Sequence, residues 1–83
     1  MNIFSKKGDV LIISDEFSGK QDVVSIGEMV EVIVDRRNGA EKAIGELIGI
    51  RCGHINLRIG QDNKSYYYKD IMQLRKHEEL MVR

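Results

Sequence analysis

Short apolar segments rich in β-branched residues, separated by glycines, make up most of the chain between residues 9 and 75. In His54–Ile59, apolar Ile55, Leu57 and Ile59 alternate with polar residues, and the three valines of Glu28–Val34 also stand at every second position. Alternation of this kind places one face of a strand in a core and the other in solvent. Both segments are therefore predicted strands.

The remaining apolar runs are separated by turn-forming residues. Two runs near the N-terminus predict a β-hairpin over residues 8–26, closed at Ser18-Gly19. Asn38-Gly39 and Cys52-Gly53 predict tight turns, because glycine tolerates positive φ. The other predicted elements are a turn over Gly60–Lys64, an aromatic strand over Ser65–Lys69, a short strand over Ile71–Arg75 and a tail over residues 76–83.

Ala43–Arg51 is the longest apolar segment, and Gly45 and Gly49 interrupt it. Each glycine would weaken a helix by about 1 kcal/mol relative to alanine, whereas a strand that bends at a barrel corner favours glycine. The segment is therefore predicted to be a bent central strand.

These elements predict one all-β domain, since 83 residues provide a single modest core. The predicted architecture is a small SH3-like or Sm-like barrel of about five strands over residues 28–75, preceded by the hairpin over residues 8–26. The pattern leaves open whether the barrel begins at residue 8 or at residue 28.

Two parts of the chain resemble known families. Gly45-Glu46-Leu47, Ile50 and Ile55–Ile59 resemble the first motif of Sm-like RNA-binding proteins, and Tyr68–Met72 is similar to a stretch of the bacterial Sm-like RNA chaperone. This resemblance implies RNA binding, with Asn56 at the position of the motif's nucleotide-contacting asparagine.

Two further resemblances point to small barrels. Ser65–Ile71 resembles the closing strand of Veg-type barrels, which have no catalytic motif, and Lys7–Val24 resembles a KOW segment of ribosomal and transcription-elongation barrels.

The charge of the chain argues against a broad positive field of the kind that nonspecific DNA binders use. Thirteen basic residues balance thirteen acidic ones, but residues 1–50 carry six basic and nine acidic groups and residues 51–83 carry seven and four. The second half, with a net charge of +3, is where a basic surface is expected.

Neither a metal site nor an enzyme is predicted. The single cysteine, Cys52, excludes an internal disulfide and a Cys-x-x-Cys zinc site, and it favours the cytoplasm. No apolar run has the length of a signal peptide or a membrane span. Because no nucleophile and base stand at a recognisable spacing, we expect a noncatalytic protein without a cofactor.

Six residues are the candidates for contact with a ligand. Alternation places Asn56 and Arg58 on the outward side of their strand, and it places Tyr67 on the face opposite Tyr66 and Tyr68. An exposed tyrosine beside Lys69 suits base stacking or anchoring of a protein. The candidates are Arg36, Arg37, Asn56, Arg58, Tyr67 and Lys69.

Each candidate also has a purely structural interpretation. Outward polar residues can be a solvated strand face, and a charged turn keeps a hairpin soluble. Two hypotheses follow for function: a noncatalytic module that binds nucleic acid, RNA above all, or a protein-interaction module such as a phage-encoded or transcription-associated accessory protein. The Sm-like residues favour the first, and the neutral charge favours the second. Pairing of edge strands between copies is a further expectation, and contact with a membrane is not expected.

Overall fold

A computed structural model of the chain describes residues 2–6, 8–15 and 17–77. Strands dominate this part of the chain. They are β1 (Asn2–Lys6), β2 (Val10–Ser14), β3 (Gln21–Ser25), β4 (Met29–Arg36), β5 (Gly39–Arg51), β6 (His54–Ile59), β7 (Asp62–Tyr67) and β8 (Ile71–Lys76). A single-turn 3-10 helix, Tyr68–Asp70, joins β7 to β8.

The prediction of a small all-β fold with a five-stranded sheet after an N-terminal hairpin is confirmed. Strands β4 to β7 form an antiparallel meander, and β8 returns to pair with β4, which gives the order β7-β6-β5-β4-β8. The sheet is not a closed barrel, because β7 and β8 are its two edges and share no ladder in the described part of the chain.

The N-terminal strands form a separate three-stranded sheet in the order β1-β2-β3. The hairpin of β2 and β3 is the predicted one, with a loop over residues 15–20 in which Gly19 adopts a φ of 72°. Strand β1 was not predicted, and it pairs along the whole of β2. The five-stranded sheet begins at Met29, so the hairpin precedes this sheet and is not part of it.

Both sheets contribute to one hydrophobic core. Leu11, Ile13 and Val24 come from the N-terminal sheet, and the alternating valines of β4 and the inward residues of β6 come from the larger one. The buried apolar residues are Leu11, Ile13, Val24, Val30, Val32, Val34, Leu47, Ile50, Ile55, Leu57, Tyr66, Ile71 and Leu74. The inward faces predicted for β4 and β6 are thus the observed ones, although Ile59 is only partly buried.

Strand β5 is bent, as its glycines predict. A Cβ atom at Gly45 would lie 2.8 Å from the Arg58 carbonyl oxygen and 2.8 Å from Ile59 Cγ1. The register between β5 and β6 also shifts between Leu47 and Gly49, which is a β-bulge of the kind that bends a strand. Close approach of two backbones, and not a positive φ, therefore requires glycine at position 45.

The end of the chain differs from the prediction in two respects. The turn after β6 contains only Gly60 and Gln61, so the aromatic strand begins at Asp62 and ends at Tyr67. Polar residues at the start of β7 are compatible with a strand because β7 is an edge. Residues 78–83 of the predicted tail lie outside the described residues.

Glu31 is an acidic side chain in the apolar strand β4, and it is only 4% exposed. Its Oε1 lies 2.8 Å from Lys42 Nζ on β5, and its Oε2 lies 2.5 Å from Arg75 Nε on β8. Hydrogen bonds from Lys42 and Arg75 lower the pKa of Glu31 from 4.5 to about 2. One carboxylate therefore ties three neighbouring strands together on the side of the sheet away from the valines.

We expect Leu57→Ala to lower the free energy of unfolding by about 2–5 kcal/mol, because Leu57 is fully buried at the centre of β6 and its loss leaves a cavity. Arg58→Ala is the control, since the next side chain along β6 is exposed and a surface substitution changes stability by about 0.5 kcal/mol or less. Urea unfolding measures both. Equal losses would mean that the faces of β6 are assigned wrongly.

Gly45→Ala should cost about 1–3 kcal/mol, because the new methyl group forces the β6 backbone to move. At Gly49, the nearest atom to a Cβ would be Asn56 Nδ2 at 3.1 Å, the end of a flexible side chain. Gly49→Ala should therefore cost less. If urea midpoints fall equally for both variants, contact with the β6 backbone is not the constraint.

The Glu31 cluster should make stability depend on acid pH. Because the pKa is lower in the folded chain than in the unfolded one, the stabilisation is complete above about pH 4.5 and is lost as the pH falls towards about 2. Urea midpoints of the unmodified protein and of Glu31→Gln should differ at pH 6 and converge near pH 2.

Glu41→Gln is the control for this pH series. Glu41 and Arg36 form a half-exposed pair at 3.7 Å, which solvent screens. The Glu41→Gln midpoint should follow that of the unmodified protein. A gap between Glu31→Gln and the unmodified protein that stays constant from pH 6 to pH 2 would contradict the assignment.

Candidate nucleic-acid interface

The outward side of β5, β6 and β7 carries polar and aromatic side chains in cross-strand rows. Directly paired residues share a face, so the pairs Arg51 with His54 and His54 with Tyr67 form one row across three strands. We call this surface the Tyr67 face. It comprises Arg51, His54, Asn56, Arg58, Ser65 and Tyr67.

Tyr67 is the exposed aromatic residue of this surface. Its side chain is 52% exposed, while neighbouring Tyr66 is buried in the core, as the alternation along β7 predicts. The ring of His54 lies beside it, with 5.4 Å between ring centroids and an angle of 50° between planes. The contact with His54 supports the ring from one side and leaves much of it accessible.

The 3-10 helix brings Lys69 to the same end of the sheet. The Tyr68 N–H donates a hydrogen bond to the Gly53 carbonyl at 3.0 Å, which holds this helix against the turn between β5 and β6. Lys69 and Arg51 are both exposed there, and Asp70, the acidic residue of the helix, is half-buried. Exposed Arg51 therefore lies in the same cross-strand row as Tyr67, and exposed Lys69 follows Tyr67 by two residues.

Asn56 occupies the centre of the Tyr67 face. The Ser65 hydroxyl donates to Asn56 Oδ1 at 2.7 Å, and the amide of Asn56 lies across Gly49, where a Cβ would be 3.1 Å from Nδ2. Gly49 thus makes room for this side chain. Among the described residues the Nδ2 group has no hydrogen-bond acceptor, so it is available to a ligand.

Arg58 is on the same face but is paired. Its guanidinium lies 2.6 Å from Glu46 Oε1 on β5. The pair is half-exposed, so solvent and a ligand can both reach it. The Arg58–Glu46 pair has no net charge. Arg58 therefore adds less positive charge to the Tyr67 face than an unpaired arginine would.

Arg36 and Arg37 are the two candidates that lie in a turn. They stand at the turn between β4 and β5, where Arg36 pairs with Gly39 in the ladder and forms an ion pair with Glu41. This turn is at one end of the 13-residue strand β5 and Arg51 is at the other. Val34 pairs with Ile71, so the end of β4 that leads into this turn lies beside the 3-10 helix that carries Lys69.

Two members of the row were not among the sequence candidates. These two residues are Arg51 and His54. Alternation along β6 gives the outward direction of His54, but only the two-residue turn at Cys52-Gly53 sets Arg51 opposite it. The length of that turn is therefore the feature of the sequence from which this row could have been predicted.

The two tyrosines on either side of Tyr67 in the sequence have buried hydroxyls. Neither Tyr66 nor Tyr68 has a hydrogen-bond partner for its hydroxyl in the described part of the chain. Burial raises the pKa of both, so both stay protonated at neutral pH. Tyr66 belongs to the hydrophobic core, and Tyr68 packs against it.

Metal-binding clusters and membrane-spanning helices are both absent from residues 2–6, 8–15 and 17–77. No group of three or more histidine, cysteine, aspartate or glutamate side chains there could hold a metal ion. In the same residues, no helix is both long enough and apolar enough to cross a membrane. Cys52 is an exposed free thiol in the turn beside His54.

Comparison with known proteins provides no relative from which to transfer a function. No family model, no curated protein and no solved structure matches this chain. The Tyr67 face is therefore the basis on which a function can be argued.

Proposed function

We propose that the protein is a noncatalytic module that binds single-stranded nucleic acid, RNA above all, on the Tyr67 face. One observation carries the proposal: Tyr67 is half exposed, rests against His54, shares a cross-strand row with exposed Arg51 and precedes exposed Lys69 by two residues. Proteins that bind single strands combine aromatic platforms for bases with cations for the phosphates.

Each group has a chemical role in this proposal. An unpaired base stacks on the ring of Tyr67, and the phosphates on either side of it are neutralised by Arg51 and Lys69. The free Nδ2 group of Asn56 donates a hydrogen bond to a carbonyl oxygen or ring nitrogen of a neighbouring base. Arg58 contributes little attraction, because Glu46 neutralises it.

The resemblance to Sm-like proteins supports RNA as the ligand, since Asn56 falls on that motif's nucleotide-contacting asparagine. The exposed, unpaired Cys52 supports a reducing compartment such as the cytoplasm. The zero net charge of the chain supports a short contact and not a long electrostatic track.

Tyr67→Ala should weaken binding of a labelled single-stranded RNA by about 1 kcal/mol or more, roughly fivefold in Kd, because a stacking platform is lost. Tyr67→Phe keeps the ring and should retain binding. Fluorescence anisotropy with uridine-rich and adenine-rich 12-mers, at two salt concentrations, measures this. The melting temperature should hardly change, because Tyr67 is exposed.

Matched variants distinguish the site from a general effect. Phe17→Ala removes an aromatic ring that is 93% exposed in the β2–β3 loop and should leave RNA binding unchanged. Lys69→Ala should reduce the slope of log K against log salt by about 0.7. Absence of any RNA binding at micromolar protein in low salt would overturn the proposal, and a large drop in melting temperature for Tyr67→Ala would show a core role instead.

A further inference from the structure

Strand β7 forms an open edge of the five-stranded sheet. β6 pairs with β7 from Asp62 to Tyr67, and in the described part of the chain no ladder covers the other side of β7. The opposite edge of the sheet, β8, lies beside β3 of the N-terminal sheet. The outward backbone N–H and C=O groups of β7 therefore have no strand partner. An edge of this kind is a template for pairing with another chain.

Two charged side chains on this edge have no partner within the chain. Asp62 and Lys64 are both exposed, and they share one side of β7 because they stand two residues apart. Neither forms an ion pair or a side-chain hydrogen bond with another described residue. An unpaired anion and an unpaired cation thus flank Asn63 along the open edge.

The order of these charges makes β7 complementary to itself in one register. In an antiparallel pair related by a twofold axis, one residue faces its own copy. With Asn63 at the axis, Asp62 of each copy faces Lys64 of the other, and Gln61 faces Ser65. With Lys64 at the axis two lysines face each other, and with Asp62 at the axis two aspartates do. Opposite charges directly across a ladder stabilise it and like charges destabilise it, so the pattern selects the register centred on Asn63.

We propose that the protein forms a twofold dimer in which β7 pairs antiparallel with β7 of a second copy, centred on Asn63. Two Asp62–Lys64 ion pairs, one on each side of the axis, fix the register. The two five-stranded sheets then form one continuous sheet across the axis. Because one strand pair is a small interface, we expect a dimer that dissociates at micromolar concentration.

The dimer does not depend on the proposed RNA binding and leaves the Tyr67 face accessible. Tyr67 lies beyond the paired segment, four residues from Asn63. A twofold axis perpendicular to the sheet keeps the Tyr67 faces of both copies on the same side. At about 3.4 Å per residue, the two Tyr67 residues would be about 27 Å apart along the strands.

Charge exchange between copies tests the pairing. In sedimentation equilibrium, Asp62→Lys and Lys64→Asp should each weaken dimerisation about tenfold or more, because each variant sets like charges across the axis. An equimolar mixture of the two variants should dimerise again, since opposite charges then face each other in the mixed pair. Asp9→Lys is the matched control, because it makes the same change of charge in an exposed turn of the N-terminal sheet and should have no effect.

Cysteine cross-linking tests the register. In a Cys52→Ser background, Asn63→Cys should form an intermolecular disulfide on mild oxidation, because position 63 faces its own copy. Ser65→Cys should not, since the two copies of position 65 would lie about 14 Å apart, beyond the reach of a disulfide. Thermal melting of each variant checks that the exposed substitutions leave the fold intact.

Three results would overturn the proposal. The first is a monomer at every concentration up to millimolar, which would leave the β7 edge to a different protein or to solvent. The second is a mixture of Asp62→Lys and Lys64→Asp that stays monomeric while the unmodified protein dimerises. The third is a larger ring, because β7 of one copy would then pair with a different edge of the next.

Discussion

The close contact between β5 and β6 at Gly45 is the constraint on which the rest of the structure depends. Strand β5 lies in the middle of the sheet, with β4 on one side and β6 on the other, and its bend directs both halves of the sheet towards one core. Without a side chain at Gly45 the β6 backbone can approach. Leu47 is then buried in the core with the residues of the N-terminal sheet, and the bulge that follows places Asn56 over Gly49 on the other face.

The local parts of this fold could be predicted from the sequence. Because side chains alternate between the two faces of a strand, the sequence pattern predicted which residues of β4 and β6 are buried. The same alternation along β7 predicted that Tyr67 is exposed. The positions of the glycines predicted the turn at Cys52-Gly53 and the bend of β5. In each case the information lies within a few neighbouring residues.

The parts that could not be predicted depend on pairing between distant residues. Strand β1 has no clear alternation and is defined by its partner β2. Glu31 gives no local sign of burial, since Arg75, one of the two cations that cover it, is 44 residues away in the sequence. Alternation alone likewise does not give the row of Arg51, His54 and Tyr67, because that row depends on the register set by the two-residue turn at Cys52-Gly53.

The return of β8 to β4 has a consequence for how the chain folds. Strands β4 to β7 are joined by short turns, so their pairing proceeds from one hairpin to the next, whereas β4 and β8 are the first and last strands of the sheet. A pairing across so much of the chain is slow to form, because the loop must close before its contacts are gained. During synthesis, the valine-rich edge of β4 therefore stays uncovered until the last strand has left the ribosome.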